Sequence, residues 1–154
     1  MAAATCRRSS AARAGRPDQF RRSPFALGEP SKLYRDLHAT ADAAFDAIAA
    51  VLKAGATPAD VIEASSVIED AGFTIIDDLL HGYGGGYLPP ILGSNSRPAG
   101  PIPQESFRDG QTVVIQPNVV TRDGKAGVQT GEMIVITKSG IERLHAIPRG
   151  FHII

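Results

Sequence analysis

Apolar residues Leu33, Leu37, Ala41, Ala44, Phe45, Ile48, Val51 and Leu52 recur at three- and four-residue steps, the spacing that lines up side chains along one stripe of an α-helix. Pro30 and Ser31 mark its start and Gly55 supplies a stop. A second helix is announced by Thr57 as N-cap, Pro58 at the first helical position and Asp60 in the first turn, followed by Val61, Ile62, Ala64, Val67 and Ile68 until Gly72 ends it. The period then changes. Thr74 to Leu80 reads as a short strand or extended entry to a glycine loop, His81-Gly82-Tyr83-Gly84-Gly85-Gly86. Residues 88–105 form a long connection whose prolines at 89, 90, 98, 101 and 103 argue against regular structure. Thr112 to Ile115 is a β-branched strand, Arg122 to Lys125 a turn, and Met133 to Thr137 a further strand. No repeat or heptad array interrupts this order. The expected class is α+β: two amphipathic helices packed on a curved, mostly antiparallel sheet.

Composition narrows the picture. The 154 residues suffice for one core. Sixteen basic and sixteen acidic side chains cancel, so no global charge draws the chain to nucleic acid or to an anionic membrane. No apolar run approaches the length needed to span a bilayer. The single cysteine, Cys6, cannot form an internal disulfide, which favours a reducing compartment and a cytoplasmic location. Residues 1–24 are rich in Ala, Ser and Arg and oppose six arginines with only Asp18. They read as a disordered or mis-called leader, a transit peptide being the alternative, with the folded domain over 25–154.

The candidate chemistry centres on His81. Glycines are favoured where backbone must approach another group closely, so a histidine leading into Gly82, Gly84, Gly85 and Gly86 is expected to sit on a shaped loop. A phosphate-binding reading of that loop fails, because no Lys-Ser/Thr pair and no helix start follow it. Asp77 and Asp78 are expected to be solvated strand-end charges, Gln116 a buried hydrogen-bonding residue, and Asn118 a turn residue. His38, His145 and His152 are assigned structural roles.

Four features then occur in order: the His81-Gly82-Tyr83-Gly84 loop, Val113-Val114-Ile115-Gln116-Pro117-Asn118, Gly127-Val128-Gln129-Thr130-Gly131-Glu132, and Val135-Ile136-Thr137 with Gly140-Ile141-Glu142-Arg143-Leu144. Together they resemble the C-terminal catalytic region of the pita-bread metallopeptidases, the family of methionine aminopeptidase, aminopeptidase P, proline dipeptidase and creatinase. The resemblance runs from Phe25 to the end, about four fifths of the chain. It implies a dinuclear centre of divalent metal (Mn, Co, Zn or Fe) held by two aspartates, one histidine and two glutamates. His81 stands at the histidine position, Glu132 at that of the last, bridging glutamate, and Gln116 at that of the other glutamate. Such a centre shares a hydroxide between two cations and polarises a peptide carbonyl.

The chain departs from that pattern. Gln116 offers a neutral carbonyl oxygen where the family has a carboxylate. Leu88 stands where the peptidases carry a second histidine, and Asp18 is a poor match to the missing aspartates. The resemblance therefore implies an Xaa-Pro aminopeptidase or dipeptidase acting on a peptide or small amide, with weak or no activity in this chain. Two alternatives stay open. One is a metal-independent, creatinase-like C–N hydrolase with His81 as proton shuttle and Glu132 orienting substrate. The other is a non-catalytic peptidase-like binding module. An unpaired sheet edge would also favour a homodimer.

Overall fold

The computed structural model describes residues 25–26, 28–146, 149–150 and 152–153. Residues 1–24, read above as a leader, lie outside them, Cys6 and Asp18 included. The described residues open with β1 (Phe25–Ala26), followed by α1 (Lys32–Val51), α2 (Pro58–Ala64) and α3 (Val67–Asp70). The strands β2 (Thr74–Ile75), β3 (Leu80–Tyr83), β4 (Tyr87–Leu92), β5 (Thr112–Ile115), β6 (Val119–Val120), β7 (Glu132–Ile136), β8 (Ile141–Arg143) and β9 (His152–Ile153) complete it. The α+β class and the helix-on-sheet arrangement are as expected.

The helices follow their sequence signals with one exception. Thr57 caps α2 through a reciprocal pair: its hydroxyl accepts from the Asp60 amide while the Asp60 carboxylate accepts from the Thr57 amide at 2.7 Å. The expected second helix, however, breaks between α2 and α3 at Ser65 and Ser66. The Ser65 hydroxyl donates to the Ile62 carbonyl at 2.7 Å, a local bond of the kind that competes with the helical ladder.

The principal sheet has five strands in the order β4-β3-β5-β7-β8, all neighbours antiparallel. Two small sheets flank it, β2 with β6 antiparallel and β1 with β9 parallel. The core forms where α1, through Leu37, Ala41, Ala44, Phe45 and Ile48, meets Leu80, Val113, Ile115, Ile134 and Ile136 of the sheet. One face of the sheet therefore looks at the helices.

Two expectations are corrected here. His81 and Gly82 lie within β3, and the turn proper is confined to Gly84–Gly86. The proline-rich connection begins later than expected, because Tyr87–Leu92 is a strand despite Pro89 and Pro90. It is an edge strand, and its register with β3 shifts between His81, opposite Ile91, and Gly82, opposite Leu88. Both prolines fall in that bulge, where no ladder N–H is required of them. Gly82 is needed opposite the bulge, since a Cβ there would run into the Pro89 carbonyl.

Candidate functional site

Register decides which of the candidate residues meet. His81 pairs with Val114, and Val114 with Met133. The adjacent row is Leu80, Ile115 and Glu132. Directly paired residues project from the same face of a sheet and successive residues from opposite faces. His81, Val114 and Met133 thus share one face, and Leu80, Ile115 and Glu132 share the other. Leu80 and Ile115 belong to the core against α1, whereas Val114 and Met133 are buried outside that cluster. The structure does not bring Glu132 to His81: it turns the carboxylate toward the helices.

On that side Glu132 is fully buried and already engaged. Arg143 of β8 donates from Nε to both carboxylate oxygens at 3.1 Å and from Nη2 to Oε2 at 2.7 Å. The hydrogen bond to Glu132 is the main reason the Arg143 guanidinium is held above its ordinary pKa; burial opposes this, and the charges of Glu132 and of Asp46 on α1 reinforce it. A carboxylate held by a two-pronged guanidinium has its charge and most of its lone-pair directions spent.

Immediately before β7, Gly131 has the parity of Met133 and so lies on the His81 side, where it offers backbone and no side chain. A Cβ on Gly131 would lie 3.0 Å from the Cβ of Gln116. Gln116 follows Ile115 and so emerges on the His81 side of β5. It is buried, as expected, and its Nε2 donates to Asp78 Oδ1 at 2.6 Å. Asp78 is only 3% exposed, so the expectation of a solvated carboxylate holds for Asp77 alone. Asn118 is fully buried, and neither its Oδ1 nor its Nδ2 has a hydrogen-bond partner.

His81 itself is 1% exposed. Its Nδ1 lies 2.9 Å from the Gly82 carbonyl; a carbonyl only accepts, so in the neutral ring Nδ1 carries the proton and Nε2 is the basic nitrogen. Tyr87 stacks on the imidazole with ring centroids 3.9 Å apart and planes inclined by 22°. Leu88 and Ile91 beside it are exposed. Among the described residues, no three His, Cys, Asp or Glu side chains converge as a metal-binding group.

His38 is buried on α1 with Nδ1 3.5 Å from Asp42 Oδ2, and His145 lies beyond β8, partly buried. The side chain of His152 lies outside the described residues. A groove of about 900 Å³ runs beside Pro89, Pro90, Phe107 and Arg108. Neither His81 nor Gln116 lines it, so the groove and the candidate chemistry are separate places.

This architecture matches known proteins. The model of metallopeptidase family M24 aligns with residues 22–138. No curated protein matches the sequence. Among solved structures, the X-Pro aminopeptidase from Thermotoga maritima MSB8 superposes with a TM-score of 0.73 at 20% identity, over 86% of this chain and 36% of that one. A dipeptidase from Pyrococcus horikoshii OT3 gives 0.69 at 25% identity over 86% and 36%. The methionine aminopeptidase from Rickettsia prowazekii gives 0.61 at 21% over 75% and 54%. The chain thus spans about a third of the length of the first two structures and about half of the third. No helix among the described residues is long and apolar enough to cross a membrane. With more than half of its length matched by the family model, the chain belongs to metallopeptidase family M24.

Proposed function

We propose that this chain is a peptide-binding M24 domain that does not hydrolyse its ligand. One observation carries the reading: the face that holds His81 offers the neutral amide of Gln116 and the bare backbone of Gly131, while Glu132 is turned to the core and clasped by Arg143. A divalent metal of the family would supply a nucleophilic hydroxide and a Lewis acid. The residues on this face do not fit it. Among the described residues the face offers one imidazole and one amide oxygen, too few donors for such a metal, and neither offsets cationic charge. A metal-independent C–N hydrolase fares no better, since Glu132 cannot orient a substrate placed at His81.

Binding keeps its support. His81 lies under Tyr87 and beside exposed Leu88 and Ile91, an apolar and aromatic surface suited to a prolyl or other apolar residue near a peptide N-terminus. That is the substrate class named for the X-Pro aminopeptidase of the same fold. The test is calorimetry and turnover on the same protein with short Xaa-Pro peptides, with and without added Mn or Co. The expected result is saturable binding weakened at least tenfold by His81→Ala, and no hydrolysis above background. A metal-stimulated rate that disappears in His81→Ala would overturn the proposal, as would the absence of any binding.

A further inference from the structure

Gln116 stands on the ligand face with one end of its amide already engaged from behind. Its Nε2 donates to Asp78 Oδ1 at 2.6 Å, and both side chains are 3% exposed. Backbone bonds hold the two segments side by side: the Gln116 amide donates to the Leu79 carbonyl at 2.8 Å, and the Ile76 amide to the Asn118 carbonyl at 3.1 Å. Asp78 therefore lies between the two positions that tie its segment to 116–118. Among the described residues, Gln116 is the one side chain that donates to it.

That contact fixes which way the amide faces. A carboxylate oxygen accepts, so the end of Gln116 that meets it has to be the NH2 group. The reverse orientation would set Gln116 Oε1 against Asp78 Oδ1 at the same short separation, two oxygens facing each other in a buried setting, where such repulsion is strongest. The two ends of an amide diverge from Cδ, so Oε1 points away from Asp78, and no described residue donates to it. On the neighbouring strand Gly131 sets no side chain beside it. The face that carries His81 therefore receives an acceptor from Gln116 and not a donor.

We infer that Asp78 is a positioning residue for the ligand surface: by fixing the Gln116 amide it makes Gln116 Oε1 an acceptor selective for an N–H donor of the bound peptide. This rests on the peptide-binding reading and adds to it the group that is read. In an Xaa-Pro ligand the nitrogen of the bond to proline carries no hydrogen, so the donor near the amino end is the α-ammonium. A fixed acceptor favours that group over a ligand lacking it, because the desolvated oxygen is then left unpaired. Asp78 touches no ligand itself and acts through its neighbour.

Calorimetry with Ala-Pro-Gly and propionyl-Pro-Gly, which differ only in the amino group, tests the selectivity. Wild type is expected to prefer Ala-Pro-Gly by about tenfold or more. Asp78→Leu, which keeps the branched shape and removes the acceptor, is expected to lower that ratio several-fold. In Gln116→Met the ratio is expected to be near one, and adding Asp78→Leu to change it no further, the behaviour of a residue that acts through its neighbour. Should Asp78→Leu fold poorly, Asp78→Asn is read in its place, with a smaller fall in the same direction. A purely structural role for Asp78 lowers Tm and leaves the ratio where it was, and that result overturns the inference. A ligand-free measurement separates the two readings. The Gln116 NH2 protons are expected to exchange slowly with water in amide-detected NMR spectra and to lose that protection in Asp78→Leu; fast exchange in wild type overturns the inference even where peptides bind. A protected NH2 group in a protein that binds neither peptide overturns the peptide-binding reading, and the ligand-selecting role of Asp78 with it.

Discussion

At the scale of single residues, Glu132 decides most. A carboxylate with no exposed surface is stable only while a partner holds it, and Arg143 reaches it with three contacts of 3.1 Å or less. Removing the guanidinium alone strands the charge. Because the Arg143 side chain is 45% exposed, the cost belongs at the low end of the range for breaking buried pairs: Arg143→Ala is expected to lose about 3 kcal/mol in urea unfolding. Replacing both partners by apolar residues, Glu132→Met with Arg143→Leu, should recover most of that loss. A destabilisation below about 1 kcal/mol for Arg143→Ala would mean that the pair is not desolvated. The faces were partly legible without coordinates. Ile134 and Ile136 share the parity of Glu132, and in a strand with one face on the core that alternation points all three the same way. The family motif drew attention to Glu132 itself and away from that alternation, and gave Gly131 no role. Asp78 gave no comparable sign, because adjacent carboxylates before a strand read as solvated until their neighbours are known.

Among the elements, the break between α2 and α3 and the strand through two prolines were not legible, for opposite reasons. Serines at 65 and 66 weaken a helix without forbidding it, and tertiary packing decided. Prolines at 89 and 90 forbid a regular ladder, and the bulge against Gly82 removed the conflict. The helix limits and β5 were readable because caps and β-branched runs act locally. A short element, α3, is tied to the segment after β4 through Glu69, whose Oε1 accepts from the Ser96 amide at 3.1 Å and from its hydroxyl at 2.6 Å. Burial by itself would raise the Glu69 pKa, but hydrogen bonds from Ser96 and Ser94 outweigh it and hold the group below its usual 4.5. A folded-state pKa lowered in this way adds stability that is complete above the unfolded value and lost as pH falls through the folded one. Urea midpoints of wild type and Glu69→Gln are therefore expected to differ most at neutral pH and to converge as pH drops below about 4.5. A gap unchanged down to pH 3 would show that the clasp does not depend on the charge.

For the whole molecule, sixteen charges of each sign and a sequence pI near 6.9 leave little mutual repulsion between copies at neutral pH. Solubility is expected to pass through a minimum near pH 7 and to rise at pH 5 and pH 9, as measured by ammonium sulfate precipitation; a flat profile would assign the behaviour to surface patches. The fold as a whole was the most legible level. Helical periodicity, caps and the order of strand motifs all point to one arrangement; the β3–β4 and β7–β8 pairs follow from short antiparallel connections, whereas the pairing of β3 with β5 spans the proline-rich segment.

The opposition of Gly131 and Gln116 across two neighbouring strands has a consequence for how this protein can change. A Cβ introduced at 131 would press on the β-carbon of 116 and on the Ile115 carbonyl, atoms that remain whatever non-glycine residue stands at 116, so the constraint runs one way: 131 is closed to growth while 116 stays open to exchange.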